Sequence, residues 1–125
     1  MKLNPDCIRS ILLSVEDSTT FINSFEYKIS ETYPLLNDYS HEEIIYHIKQ
    51  ANLNGMFTKV SYYDNGDLIY IDDLSPKAHE FLANIRSNDI WTKTKSIASQ
   101  VGSISLNSLC QISSQVVTNL ISARL

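Results

Sequence analysis

The sequence predicts an α+β protein: a winged-helix-like core of helix, strand, helix and two-stranded wing, followed by C-terminal helices. Three observations carry this. A helical periodicity near the N-terminus gives way to a two-residue alternation. A Ser-capped helix at about 40–53 is followed by two short strands flanking Asp64-Asn65-Gly66-Asp67. The chain then closes on long helical segments without a strand signal. At 125 residues, 43% hydrophobic and 19% charged, the composition is that of a globular chain with one modest core.

Asn4-Pro5 reads as an N-cap followed by proline in the first turn, where its missing N–H costs nothing. Ile8, Ile11, Leu12 and Val15 recur at helical spacing, and Asp6 sits where the helix dipole favours an acid. Asp17-Ser18-Thr19-Thr20 ends the helix. Phe21, Phe25, Tyr27 and Ile29 then alternate with Ile22, Ser24, Glu26 and Lys28, which predicts a half-buried strand across 21–29. Residues 30–39 fit either a loop or a short helical turn started by Pro34.

Ser40 with Glu43 forms a capping box, and Ile44, Ile45, Ile48 and Ala51 share one face of the helix that follows. Gly55 ends that region in a left-handed conformation. Strands at about 57–63 and 68–72 flank Asn65-Gly66, a pair suited to a type I′ hairpin turn. Ser75-Pro76 opens a helix whose stripe is Ala78, Phe81, Leu82 and Ile85. Further helices follow at about 90–101, ended by Gly102, and at about 105–124. This order makes the helix at 40–53 the recognition-helix equivalent and the hairpin the wing. The division expected is a winged-helix-like domain over 1–88 and a helical extension over 89–125 that packs on it, mediates association, or both.

Met-Lys-Leu-Asn-Pro-Asp-Cys-Ile-Arg at 1–9 resembles the opening of a family known as domain of unknown function 2513. So do Tyr39–Ile48 and His79–Arg86 with the following Ile90-Trp91. The likeness covers nearly the whole chain and departs at Ala78, where the pattern has glycine before the His-Glu pair. The resemblance implies the same fold and a setting in bacteria, their phages or integrated elements. It brings no catalytic residues.

Chemistry-bearing residues have ordinary explanations. His41 and His47 are six apart on different sides of one helix, and His79-Glu80 lacks a second histidine, so no metal and no cofactor are expected. Cys7 and Cys110 are expected as buried free thiols in a reducing cytoplasm. No nucleophile elbow exists, and no glycine is left over for a phosphate loop. No enzyme is expected. No apolar run is long enough for a membrane span, and no secretion signal is expected from the N-terminal residues.

Charge placement then weighs on function. Residues 1–89 carry 7 basic and 14 acidic side chains, whereas 90–125 carry Lys93, Lys95 and Arg124 and no acid. On the recognition helix, His41, Glu42, Tyr46, Lys49 and Gln50 are read as the outward face. Lys49 and Gln50 suit base readout, but Glu42 and Glu43 would meet phosphates. The wing offers Asp64, Asn65 and Asp67, with Asp72 and Asp73 further on, where a DNA-reading wing carries cations. A protein partner is therefore expected through an acidic wing, and one form is inhibition of a nucleic-acid-directed defence complex in the manner of anti-CRISPR proteins. The alternative is a dimeric DNA-binding regulator.

From Ile97 to Ala123 no side chain is charged. Leu106, Cys110, Ser113, Val117 and Leu120 make one stripe, and Leu109, Ile112 and Val116 a second. Two stripes on an uncharged helix predict cover on more than one side, with Leu106, Leu109, Ile112, Val116 and Leu120 as an association face, either for a homodimer or for a docked partner.

Overall fold

The computed structural model describes residues 1–102 and 104–125. Among these, five helices and a three-stranded antiparallel sheet form in the order α1 (Pro5–Ser18), β1 (Phe25–Lys28), α2 (His41–Leu53), β2 (Val60–Tyr63), β3 (Leu68–Ile71), α3 (Pro76–Ile85), α4 (Asn88–Gln100) and α5 (Leu106–Arg124). The strands lie in the order β1-β3-β2. This is the winged-helix order, with the first helix of the helix-turn-helix pair reduced to turns at 34–38.

The helical periodicities of α1 and α3 act as read, whereas on α2 His47 takes the buried place expected of Ile45, which is half-buried. Asn4 Oδ1 accepts from Asp6 N at 3.1 Å, capping α1, and Ile8, Ile11, Leu12 and Val15 are fully buried. Truncating Ile8 or Leu12 to alanine is expected to cost about 2–5 kcal/mol. The capping box of α2 is formed on both sides, Glu43 N to Ser40 Oγ and Ser40 N to Glu43 Oε1. Ile44, His47, Ile48 and Ala51 are its buried face. His47 joins the two helices: Nδ1 donates to Glu43 O at 2.7 Å, and Nε2 accepts from Asn4 N at 2.8 Å.

The strand expected over 21–29 is shorter. Only Phe25–Lys28 pair with β3, and Phe21 and Ile22 are 105% and 85% exposed. The cause is local. Thr20 N donates to Asn23 O, and Asn23 N donates to Thr20 Oγ1, so this backbone closes on itself in a turn before reaching the sheet. The ambiguous segment 30–39 resolves into consecutive turns, Leu36 N to Tyr33 O and Tyr39 N to Leu36 O, with Leu36 buried.

Phe25, Tyr27, Ile69 and Ile71 turn their side chains to the helices and are buried. Val60 and Tyr62, paired across from Ile71 and Ile69, share that face. The hairpin turn holds the positive angles expected of Asn-Gly: Asn65 has φ 56° and ψ 33°, Gly66 has φ 93°, and Asp67 N donates to Asp64 O. Asp64 also has φ 51°, so the ladder stops at Tyr63–Leu68 and the loop is four residues rather than two.

Polar clamps fix α1 to the α3–α4 corner. Arg9 donates to the carbonyls of Ile85 and Arg86 and to Asn88 Oδ1. Arg86 grips Glu16 with two bonds of 2.9 and 2.7 Å. Asp6 Oδ1 accepts from Trp91 Nε1 and Lys95 Nζ, each at 2.9 Å. Trp91, Ala98, Leu106 and Leu109 belong to the same buried cluster as the residues of α1, α2 and the sheet.

Candidate functional site

The entering end of α2 and the hairpin tip meet through His41. Its Nδ1 lies 2.8 Å from Tyr27 Oη, and its Nε2 lies 3.0 Å from Asp67 Oδ1. In the tautomer whose Nε2–H donates to the Asp67 carboxylate, Nδ1 accepts the Tyr27 hydroxyl proton. The imidazole also stacks on Tyr27, with rings 8° apart. Burial raises the Tyr27 phenol above its ordinary pKa. This row of groups therefore ends inward on a buried, protonated hydroxyl. Its evident work is to hold the hairpin against α2.

Gly66 completes that junction. A Cβ at this position would stand 3.1 Å from Ile45 Cδ1, so the turn lies directly against α2. Between them runs a groove of about 370 Å3 lined by Glu42, Ile45, Tyr46, Lys49, Tyr62, Asn65 and Gly66. Its walls are apolar: Ile45 is half-buried, and Tyr62 is 44% exposed. Its charged lining residues are Glu42 and Lys49, and the exposed acids Asp64 and Asp67 flank the Asn65-Gly66 turn that closes one end.

The expected outward face of α2 is thus only partly free. His41 is bound to Tyr27 and Asp67. Tyr46 donates to Met1 O at 3.0 Å and sets its ring edge-on to His47. Glu42 and Lys49 are exposed and Gln50 half-exposed. The acids expected to act together on the wing divide between its two ends. Asp64 and Asp67 stand at the tip. Asp73, at the base, accepts from Leu74 N at 2.7 Å and lies 3.2 Å from the Thr19 hydroxyl, with Asp72 exposed beside it. Ile45, Tyr62 and Gly66 were missed as site residues. The pairing of Tyr62 with Ile69 on one sheet face is the signal that places Tyr62 beside α2.

The two stripes read on α5 do not become two separate faces. The buried line is Leu106, Leu109, Ser113 and Val116, which takes members of both. The reason is that α5 lies over α3 and α4 together. Cys110 borders α3 with Lys77, Glu80 and Phe81, while Ile112 borders α4 with Lys93 and Ile97. Beyond Val116 the helix projects, leaving Leu120 39% and Ile121 55% exposed. Of the five expected association residues, Leu106, Leu109 and Val116 are covered by the chain itself; Ile112 is half-buried and Leu120 is open.

Both cysteines are free, and burial pushes the Cys7 thiol up to about 12. Among the described residues, no group of three or more His, Cys, Asp or Glu converges as a metal site would require, and no helix is long and apolar enough to cross a membrane.

The fold and this face define an α+β protein of winged-helix-like order whose hairpin and second helix enclose an apolar, acid-rimmed groove. The family model described as "Hypothetical protein (DUF2513)" matches residues 2–105, and the chain belongs to that family. Neither the curated proteins nor the solved structures include a match to the chain.

Proposed function

We propose that this chain is a non-enzymatic interaction module that binds a protein partner through the face between α2 and the hairpin. The observation that carries the reading is the make-up of the groove: apolar walls from Ile45, Tyr46 and Tyr62, with Glu42 and Lys49 in the lining and the acids Asp64 and Asp67 flanking its Asn65-Gly66 end. Apolar walls with a polar rim are the anatomy of a protein interface. An acidic rim repels a phosphate backbone and favours a basic protein surface. The nucleic-acid channel of a defence complex in a bacterium carrying mobile elements is one surface of that chemistry.

The test is affinity capture from the native host with the wild-type chain and with Glu42→Lys/Asp64→Lys, both exposed positions whose exchange leaves the core intact. The reading predicts a protein that is retained by the wild type and reduced at least about tenfold by the double variant. Equal retention by both rules out this face. Asp67 is a poor choice for the test because its loss also releases His41.

A second reading is a dimeric DNA-binding regulator. It is favoured by the position of α2, which is that of a recognition helix presenting Lys49 and Gln50. It predicts binding to duplex DNA that falls steeply with salt; no binding at low salt removes it. Self-association through α5 fits either reading, since its projecting end exposes Leu120 and Ile121 and carries no acid. The residues to test are Leu120 and Ile121, because Leu109 and Val116 are core.

A further inference from the structure

The two outer strands of the sheet are treated differently. On β1, the Tyr33 hydroxyl accepts from Lys28 N at 2.8 Å and donates to Glu26 O at 2.8 Å. These are the outward-facing groups of that strand, so its edge is closed by a side chain. Tyr33 is held there by its ring, 5.5 Å from that of Tyr27 and 5.7 Å from that of Phe25.

This bonding fixes the parity of the whole sheet. If Glu26 and Lys28 face outward, Phe25 and Tyr27 bond β3 at Ile71 and Ile69. Leu68 and Tyr70 must then turn their backbone groups towards β2, where they meet Tyr63 and Ser61. The bond from Asp72 N to Lys59 O continues the same parity. Val60 and Tyr62 are left with N–H and C=O pointing away from the sheet. Among the described residues, no side chain takes those groups. The strand Val-Ser-Tyr-Tyr also carries neither proline nor charge, the usual guards of an exposed edge.

The open edge adjoins the groove. Side chains of a strand added beside β2 would alternate, and those on the helix side would fall next to Tyr62, Ile45 and Tyr46. Charge favours a basic residue at the hairpin-tip end of that segment, where Glu42 lines the groove and Asp64 and Asp67 flank Asn65-Gly66, whereas Lys59 stands at the other end of β2. We infer that β2 is a site of strand addition. It takes an extended segment of the protein partner, about four to six residues long, with apolar side chains at its helix-side positions and Lys or Arg at the end beside the hairpin tip. This inference rests on the proposed protein-binding face and specifies how that face is used.

The probe is a random decapeptide library displayed on phage and selected against the immobilised full chain. The expected winners carry apolar residues at alternate positions and Lys or Arg at one end. The best sequence is then synthesised unmodified, N-methylated at its odd positions, and N-methylated at its even positions. Strand addition predicts that one methylated form loses at least about tenfold in affinity while the other stays within about twofold, because only alternate amides face the edge. It also predicts that amide exchange at Val60 and Tyr62 slows at least about tenfold on binding, with smaller change at Ser61 and Tyr63.

Equal affinity of all three forms, or unchanged exchange at Val60 and Tyr62, overturns the inference. In that event, loss of binding in Glu42→Lys/Asp64→Lys would leave the face standing with a different mode of docking. Retention of binding in that variant would overturn the face as well. Failure to enrich any sequence counts against strand addition, since an open edge with an apolar groove must hold short extended segments.

Discussion

The backbone N–H of Asn4 donates to Nε2 of His47 across 2.8 Å, with the imidazole wholly buried. One ring thus ties the start of α1 to the middle of α2, and its other nitrogen is committed to Glu43 O. His47→Leu leaves the Asn4 N–H unpaired and is expected to cost about 1–3 kcal/mol. A urea unfolding curve measures it; an unchanged midpoint would mean that this junction is dispensable.

Thr94 is fully buried on α4, and its hydroxyl has no partner among the described residues. Replacing a buried unpaired hydroxyl by a methyl removes a desolvation cost while keeping the shape. Thr94→Val is therefore expected to raise stability, by up to about 1 kcal/mol. A fall of similar size would show that the hydroxyl has a partner in solution.

Glu16 and Asp6 set the expected acid response. The Arg86 hydrogen bonds hold the Glu16 carboxyl below its ordinary range against its partial burial. Burial pushes Asp6 up, but the bonds from Lys95 and Trp91 together outweigh it, and its net direction is also down. Both acids thus bind protons less readily folded than unfolded. Their contribution is complete above the unfolded values, about 4, and is lost as pH falls through the lower folded values. Both sites are partly exposed, so each is worth about 1 kcal/mol or less. Unfolding midpoints of the wild type and Arg86→Gln should differ at pH 6 and converge towards pH 3. A gap that is constant with pH would contradict the pairing.

Cys7 and Cys110 are predicted to react in a fixed order. Burial raises both thiols, but Cys7 is wholly enclosed and Cys110 is half-buried beside α3. Alkylation of the folded chain near pH 8 should mark Cys110 slowly and Cys7 only after unfolding. Equal rates in the folded chain would contradict the packing of α1.

Much of this architecture is legible in the sequence because its signals are local. Caps at Asn4, Ser40 and Ser75, positive φ at Gly55, Gly66 and Gly102, and the stripe of each helix are set by neighbours within a few residues. What escapes depends on contacts distant in sequence or on competition between local bonds. Phe21 and Ile22 fit a strand pattern, yet the Thr20–Asn23 turn takes their backbone out of the sheet. His41 reads as a surface residue until Asp67, 26 positions away, is placed against it. The stripes of α5 cannot be sorted until α3 and α4 are seen beneath it together. The groove is hardest to foresee. It exists only because Gly66 allows the turn to approach Ile45, and neither residue announces a surface by itself.

The most direct test of the central claim is a photo-crosslinking amino acid placed at Tyr62 in the native host, with a second chain carrying it at Leu35, exposed but outside the groove. The account predicts a protease-sensitive, nuclease-resistant adduct from position 62 that is absent from position 35 and abolished by Glu42→Lys/Asp64→Lys. A nuclease-sensitive adduct, or equal adducts from both positions, would contradict it.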